Sequence, residues 1–296
     1  MGCSFELIVA RSDSTKANHL LEVGIQEIKR IEEILSEFRE NSIVSQINRN
    51  AGVKRVKVDV EVFSLLLRCQ KIAALTQGAF DISVGPLKKK YNFKNQQFIL
   101  PPQNEINDVL KLVGFSKIIL DAEAREVFLP HQGMHISFAA IGKGYAADCV
   151  KKIWIALGVT SGVISASGDL TTIGARPNGM SWDVGIANPD KKNNVVFHIP
   201  VVDSSVATSG DYEQFFIYKN VRYSHNINPI TGLPVKGIKS VSIISQSAEL
   251  SDALATAVYV MGVDVGIHLV NQLPNVHGII IDDKNQSFYS SKINLA

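Results

Sequence analysis

Two oxygen-bearing side chains, Asp252 and Thr256, interrupt the otherwise apolar run SDALATAVYVMG. At i and i+4 of a helix they project from one face, one turn apart. A carboxylate and a hydroxyl so placed can share a hard cation such as Mg²⁺, with a backbone carbonyl and phosphate oxygens completing its shell. The same pair also suits plain structure, with Asp252 capping the helix and Thr256 bonding back to a carbonyl. Spacing leaves both readings open.

In IGKGYAAD, Gly142 and Gly144 fall between a predicted strand and a predicted helix, where free N–H groups and the helix dipole receive phosphate. The P-loop pattern is not met, because no glycine stands five residues before Gly142 and Gly144 takes the place of the Ser or Thr after Lys143. Gly142, Gly144 and Ala147 do match GxGxxA, with Asp169 on the following strand, so a nicotinamide dehydrogenase stays open. That reading leaves the lysine between the glycines unexplained. In RYSHNINPITGLPV, His225 precedes Pro229, Thr231, Gly232 and Pro234, turn formers that hold the strand end rigid. A histidine held there serves as a general base near neutral pH, or is a half-exposed loop residue. Thr208, Ser209 and Gly210 in ATSGDY either offer donors to an anion or form an ordinary turn.

The elements that must position these groups are legible in outline. Leu21, Ile25, Ile28, Ile31, Leu35 and Phe38 recur at three- and four-residue steps and predict a long amphipathic helix, with Phe38 at its tip as a candidate ligand-facing aromatic. A second helix is predicted from about Val60 to Gln77, stopped at Gly78. GAFDISVGPL then reads as a loop around Asp81, residues 104 to 115 as a short helix, and KIILDAEAREVFLP as a hairpin. HISFAAIGKGYAADCVKKIWIALGV reads as strand, glycine turn and helix. GVISASGD, WDVGIANP, VVFHIPVV, EQFFIYKN, KSVSIIS and LPNVHGIIIDD read as short strands, KSVSIIS being followed by the helix of Asp252. Short strands with interspersed helices predict an α+β architecture.

Length and composition bound the rest. A chain of 296 residues has room for a sizeable core, and its formal charge of +2, with no basic block longer than Lys88–Lys90, gives no nucleic-acid footprint. Cys3, Cys69 and Cys149 form no CxxC pair and read as buried small hydrophobes. No apolar run reaches the roughly 20 residues of a membrane helix. MGCSFE places Glu6 where a myristoylation signal needs Ser or Thr. The abrupt start in SFELIVAR is compatible with an export leader removed upstream.

Taken in order, MGCSF, SEFRENSIVSQIN, GAFDISVGPL, SFAAIGKGYAAD, ASGDL, ATSGDY, YSHNINPITG and SDALATA resemble the FAD:protein FMN transferases, the ApbE-type flavin transferases, nearly end to end. The resemblance implies one α+β flavin transferase domain over 1–296, with mixed or antiparallel sheets, packed helices and a flavin cleft between two subdomains. It implies Mg²⁺ on Asp252, Thr256 and the backbone carbonyl of Ala140. FAD, the substrate, would touch Met1, Phe38, Ala79, Phe80, Asp81, Ser137, Lys143 and Ile227. His225 would take the proton from a Thr or Ser hydroxyl in an Asp-x-x-Ser/Thr-Gly-Ala-type segment of an acceptor protein. FMN would be transferred to that hydroxyl and AMP released. An FAD pyrophosphatase and a non-catalytic flavin-binding protein are the neighbouring alternatives.

The resemblance further implies a lipoprotein on the periplasmic side of the inner membrane, touching the membrane only through an anchor upstream of residue 1. This chain departs from the family pattern at several positions. It has Ser137 where a carboxylate is usual, Ala140 in place of a glycine, and Ser167 in Ser-Gly-Asp. Asn228 replaces an Asp before proline, and Phe38 stands where Tyr is frequent.

Overall fold

The computed structural model describes residues 2–10, 13–91, 100–210, 215–218, 221–291 and 293, with the backbone alone at 192 and 193. The chain runs through β1 (Phe5–Val9), α1 (Ser14–Leu35), α2 (Ile43–Arg49), β2 (Val56–Lys57), α3 (Val60–Leu75), α4 (Gly85–Lys90) and α5 (Gln103–Leu110). A 3-10 turn (Phe115–Lys117), β3 (Ile119–Asp121), β4 (Glu126–Phe128), α6 (Gly142–Ala156), β5 (Gly162–Ala166), β6 (Asp169–Ile173), β7 (Trp182–Asn188) and β8 (Lys191–Val201) follow. The remainder is β9 (Ser205–Gly210), β10 (Phe215–Tyr218), β11 (Val221–Ser224), β12 (Ile238–Ser245), α7 (Ala248–Met261), α8 (Val263–Gln272), β13 (His277–Asp282) and β14 (Ser287–Tyr289). This is an α+β fold.

The chain divides into two compact units. The first comprises Met1–Glu32, Ile141–Tyr212 and Ile238–Ala296; the second, Glu33–Ala140 and Glu213–Gly237.

The first unit is built on a seven-stranded sheet of order β1-β5-β6-β9-β12-β13-β14. Every pairing in it is antiparallel. α7 is buried almost all round, as its near-uniform apolar sequence requires. Trp154 of α6 is fully buried with Leu20, Val150, Ile164 and Ile173, and its indole N–H donates to the Leu20 carbonyl at 2.9 Å. The β7–β8 hairpin alternates, turning Val184 and Ile186 inward onto Val206, Ile244 and Ile279.

In the second unit Leu87, Tyr91, Ile106, Val113 and Ile227 form a core. Gly232, at φ +72°, lies where a Cβ would come within 2.5 Å of Ile106, and its carbonyl accepts the Tyr91 hydroxyl at 2.7 Å.

Several expectations about elements need correction. Gly85 and Pro86 open α4 rather than extending the preceding loop, since proline suits a first helical turn. His135–Phe138 forms no strand: the segment is held by side chains, plus the Ser137 N–H on the Ile82 carbonyl. Gly142 and Gly144 lie inside the first turn of α6, and the chain reversal sits at Ala139–Ile141. Thr208 and Ser209 belong to strand β9, not to a turn. Cys69 alone of the cysteines is buried; Cys3 and Cys149 are half-buried. The dinucleotide reading also falls, because that fingerprint needs a strand leading into α6 with a parallel partner after it, whereas among the described residues no strand leads into α6 and β5 pairs antiparallel with both β1 and β6.

Candidate functional site

In the first unit, α7 is capped by Ser247, whose hydroxyl accepts the Leu250 N–H at 3.2 Å, so Asp252 is not the helix cap. Asp252 instead sits in the second turn, 4% exposed, its Oδ2 accepting the Gly144 N–H from α6 at 3.1 Å. One turn on, the Thr256 hydroxyl lies 3.1 Å from the Ser209 hydroxyl on β9. Lys143, beside Gly144, is ion-paired with Asp169 at the start of β6. Asp169 is fixed in turn by the Thr208 N–H at 2.8 Å, and Thr208 by the Ser242 hydroxyl at 2.7 Å. The sheet and two helices thus gather one ammonium, two carboxylates and four hydroxyls.

Burial pushes the Asp252 carboxyl up to about 7, and the Asp169 charge adds to the rise against the opposing pull of Lys143 and the α6 amides. Lys143 moves up as well: burial disfavours its charge, but Asp252 and Asp169 outweigh it and hold the ammonium protonated. A buried carboxylate kept from ionising freely, with hydroxyl oxygens alongside, is a donor set that a hard divalent cation fits, because the cation supplies the missing charge. The carbonyl of Ala140, the third expected ligand, belongs to the last residue of the second unit's first segment, two positions before Gly142.

A second polar cluster lies within the second unit. Glu37, two residues past α1, accepts the Ser137 hydroxyl at 2.6 Å through Oε1, and its Oε2 lies 2.7 Å from His135 Nε2. Asn48 holds the intervening residue from both sides, donating to the Ile136 carbonyl at 2.9 Å and accepting its N–H at 2.8 Å. Burial alone would raise the Glu37 carboxyl, but the His135 and Ser137 hydrogen bonds outweigh it and hold it below its ordinary value. Phe38, next in sequence, is 90% exposed, a ring free to stack.

Ala79, Phe80 and Asp81 are buried. Phe80 is only 1% exposed, and the Asp81 carboxylate is committed to the N–H and hydroxyl of Ser83 and the N–H of Phe115, all at 2.7 Å. The Asp81 carboxyl is shifted up by burial, which those bonds oppose.

His225 follows β11 directly and is half-buried. Its flanks are rigid: Ser224 N–H to Val235 carbonyl, Val235 N–H to Asn226 carbonyl, and Asn228 Oδ1 accepting the N–H groups of Ile230 and Thr231. An Asp at 228 would make the same turn, so this departure keeps its geometry. Ile227 is buried and bridged to Pro234. Met1 lies outside the described residues.

Lys143, Asp252 and Thr256 thus meet in the first unit, while Phe38, Ser137, His225 and Ile227 fall in the second. Sequence reasoning gave no role to Glu37 or His135. Their link spans 98 residues, and no local spacing signals it. Asp169 stands in the sequence within the ASGDL motif and in a dinucleotide pattern that does not apply, and neither gives it a role.

Comparison with known proteins agrees with this architecture. A family model described as the ApbE family matches residues 1–280. A Treponema pallidum protein named FAD:protein FMN transferase is 30% identical over 291 residues, spanning 93% of this chain and 80% of that protein. Among solved structures, the ApbE protein of Thermotoga maritima superposes with a TM-score of 0.89 at 32% identity, covering 98% of this chain and 94% of that one. The apo Pseudomonas stutzeri flavinyl transferase ApbE, at 24% identity, shares the fold with a TM-score of 0.86 over 98% of this chain and 92% of its own.

Proposed function

The chain belongs to the ApbE family, and we propose that it is a Mg²⁺-dependent FAD:protein FMN transferase, moving FMN from FAD to a Thr or Ser hydroxyl of an acceptor protein. The observation that carries this reading is the buried Asp252 carboxylate grouped with Thr256, Ser209 and the Lys143–Asp169 pair. Asp252 and Thr256, with the Ala140 carbonyl, would hold the metal, which when bound would supply positive charge for the departing AMP phosphate. Lys143, held protonated by its two carboxylate neighbours, adds fixed positive charge for the pyrophosphate.

His225 accepts the proton of the acceptor hydroxyl as its oxygen bonds to the FMN-side phosphorus. The pyrophosphate P–O bond breaks, AMP leaves with the electron pair, and FMN remains on the acceptor as a phosphoester. Phe38 offers a stacking face; Met1, Ala79, Phe80, Asp81, Ser137 and Ile227 complete the FAD contacts, with the buried Phe80 and Asp81 acting through their backbone. The acceptor carries an Asp-x-x-Ser/Thr-Gly-Ala-type segment. On this reading the protein lies on the periplasmic side of the inner membrane, which fractionation of the native protein tests.

A non-catalytic flavin-binding protein was suggested by the missing carboxylate at Ser137. Glu37, 2.6 Å from the Ser137 hydroxyl, brings a carboxylate to that position and favours the catalytic reading. The deciding experiment follows AMP release from FAD and Mg²⁺ with and without acceptor, together with flavin fluorescence on the denatured acceptor. Labelled acceptor with matching AMP is expected. AMP without label points to a pyrophosphatase or to a wrong acceptor, and intact FAD overturns the enzyme reading.

A further inference from the structure

α6, which carries Lys143, and α7, which carries Asp252 and Thr256, each have the N-terminus capped by a carboxylate from the other. α6 has no side-chain cap of its own. Its opening N–H groups, Gly144 at 3.1 Å with Lys143 alongside, are taken by Asp252 of α7. In return Asp148, one turn along α6 from Gly144, accepts at the start of α7 the Ser247 hydroxyl at 2.7 Å and the Ala248 and Glu249 N–H groups at 3.0 Å. Between these two links the helices touch backbone to backbone, since a Cβ at Gly144 would lie 2.1 Å from the Ala248 carbonyl oxygen.

Capping a helix with its own N-cap residue fixes only that helix, and Ser247 already does so for α7. Two carboxylates exchanged between helices fix something more: the register and spacing of α7 against α6. Sliding either helix would strand N–H donors at both ends together.

We propose that Asp148 is a positioning residue for the metal site. It contacts neither ligand side chain, yet it sets where Asp252 and Thr256 stand relative to Lys143 by holding the N-terminus of α7 on α6. The inference rests on the metal reading given above and adds to it a residue and a mode of action. Asp252 Oδ2 accepts the α6 amide of Gly144, and the reciprocal bonds from Asp148 hold α7 where that contact is made.

The test is binding of Mn²⁺ alone, without FAD, read by electron paramagnetic resonance well below the melting temperature. Asp148→Asn, which keeps one acceptor oxygen but turns an amide nitrogen toward helix N–H donors, should bind Mn²⁺ about 10- to 100-fold more weakly than the wild type. Asp148→Glu, which restores the charge, should recover part of the loss. Val270→Ala, a core truncation in α8, should lower Tm while leaving Mn²⁺ affinity within about twofold, separating positioning from general destabilisation. Asp148→Asn bound as tightly as wild type would overturn the inference and leave the metal reading standing. Failure of the wild type itself to bind Mn²⁺ would overturn both.

Discussion

In the proposed function, Asp252 combines a metal-binding demand with a stability cost. Its carboxyl is raised from 3.8 to about 7 in the folded chain, so between those values the folded state binds more protons than the unfolded. Metal-free stability therefore falls as pH rises from about 4 to about 7, a decline that Asp252→Asn should flatten while abolishing metal dependence; thermal melts across that range check it. His225→Ala should retain FAD binding, measured by titration, and lose transfer by about 10²-fold or more, as removal of a general base does. Glu37 has the opposite sign. Its carboxyl is held below 4.5, so it stabilises above that value and loses the contribution as pH falls through the depressed value. The stability gap between wild type and Glu37→Gln should be full at neutral pH and shrink as pH falls below 4.5 through the depressed value.

At the scale of elements, the contact between α6 and α7 governs the site in the first unit. Gly144 is required there by proximity rather than by backbone conformation, because any side chain would meet the Ala248 carbonyl. Gly144→Ala should cost about 1–3 kcal/mol in urea unfolding and weaken metal binding together with stability, since parting the helices breaks both carboxylate links. This separates it from an ordinary exposed helical glycine, where alanine would stabilise. The Glu37–His135–Ser137 cluster plays a comparable part in the second unit. It pins a strandless segment to the end of α1, which is why an extended stretch keeps one conformation without a sheet ladder.

For the whole molecule, a metal and FAD that bind only the folded state stabilise it by mass action, by about 2.7 kcal/mol at a ligand concentration 100 times Kd, and so raise Tm. Mg²⁺ with FAD should therefore shift the melt upward, and a chelator should reverse most of the shift, with Asp252→Asn showing little of either. In that same frame, local pattern determined the α+β class, the long α1 helix, the α7 helix with Asp252 and Thr256 on one face, and the ordered series of motifs from MGCSF to SDALATA. Periodicity and turn chemistry are encoded within a few residues, and a series of short motifs keeps its order along the chain.

Tertiary structure alone decided the rest. It placed Ser247 rather than Asp252 at the helix cap, joined Lys143 to Asp169 and Asp148 to Ser247, brought Glu37 to Ser137, and made the sheet antiparallel where GxGxxA had suggested a parallel unit. These are contacts between residues up to 100 positions apart, set by which apolar faces pack together. A buried carboxylate finds its partner only after that packing has brought the partner near.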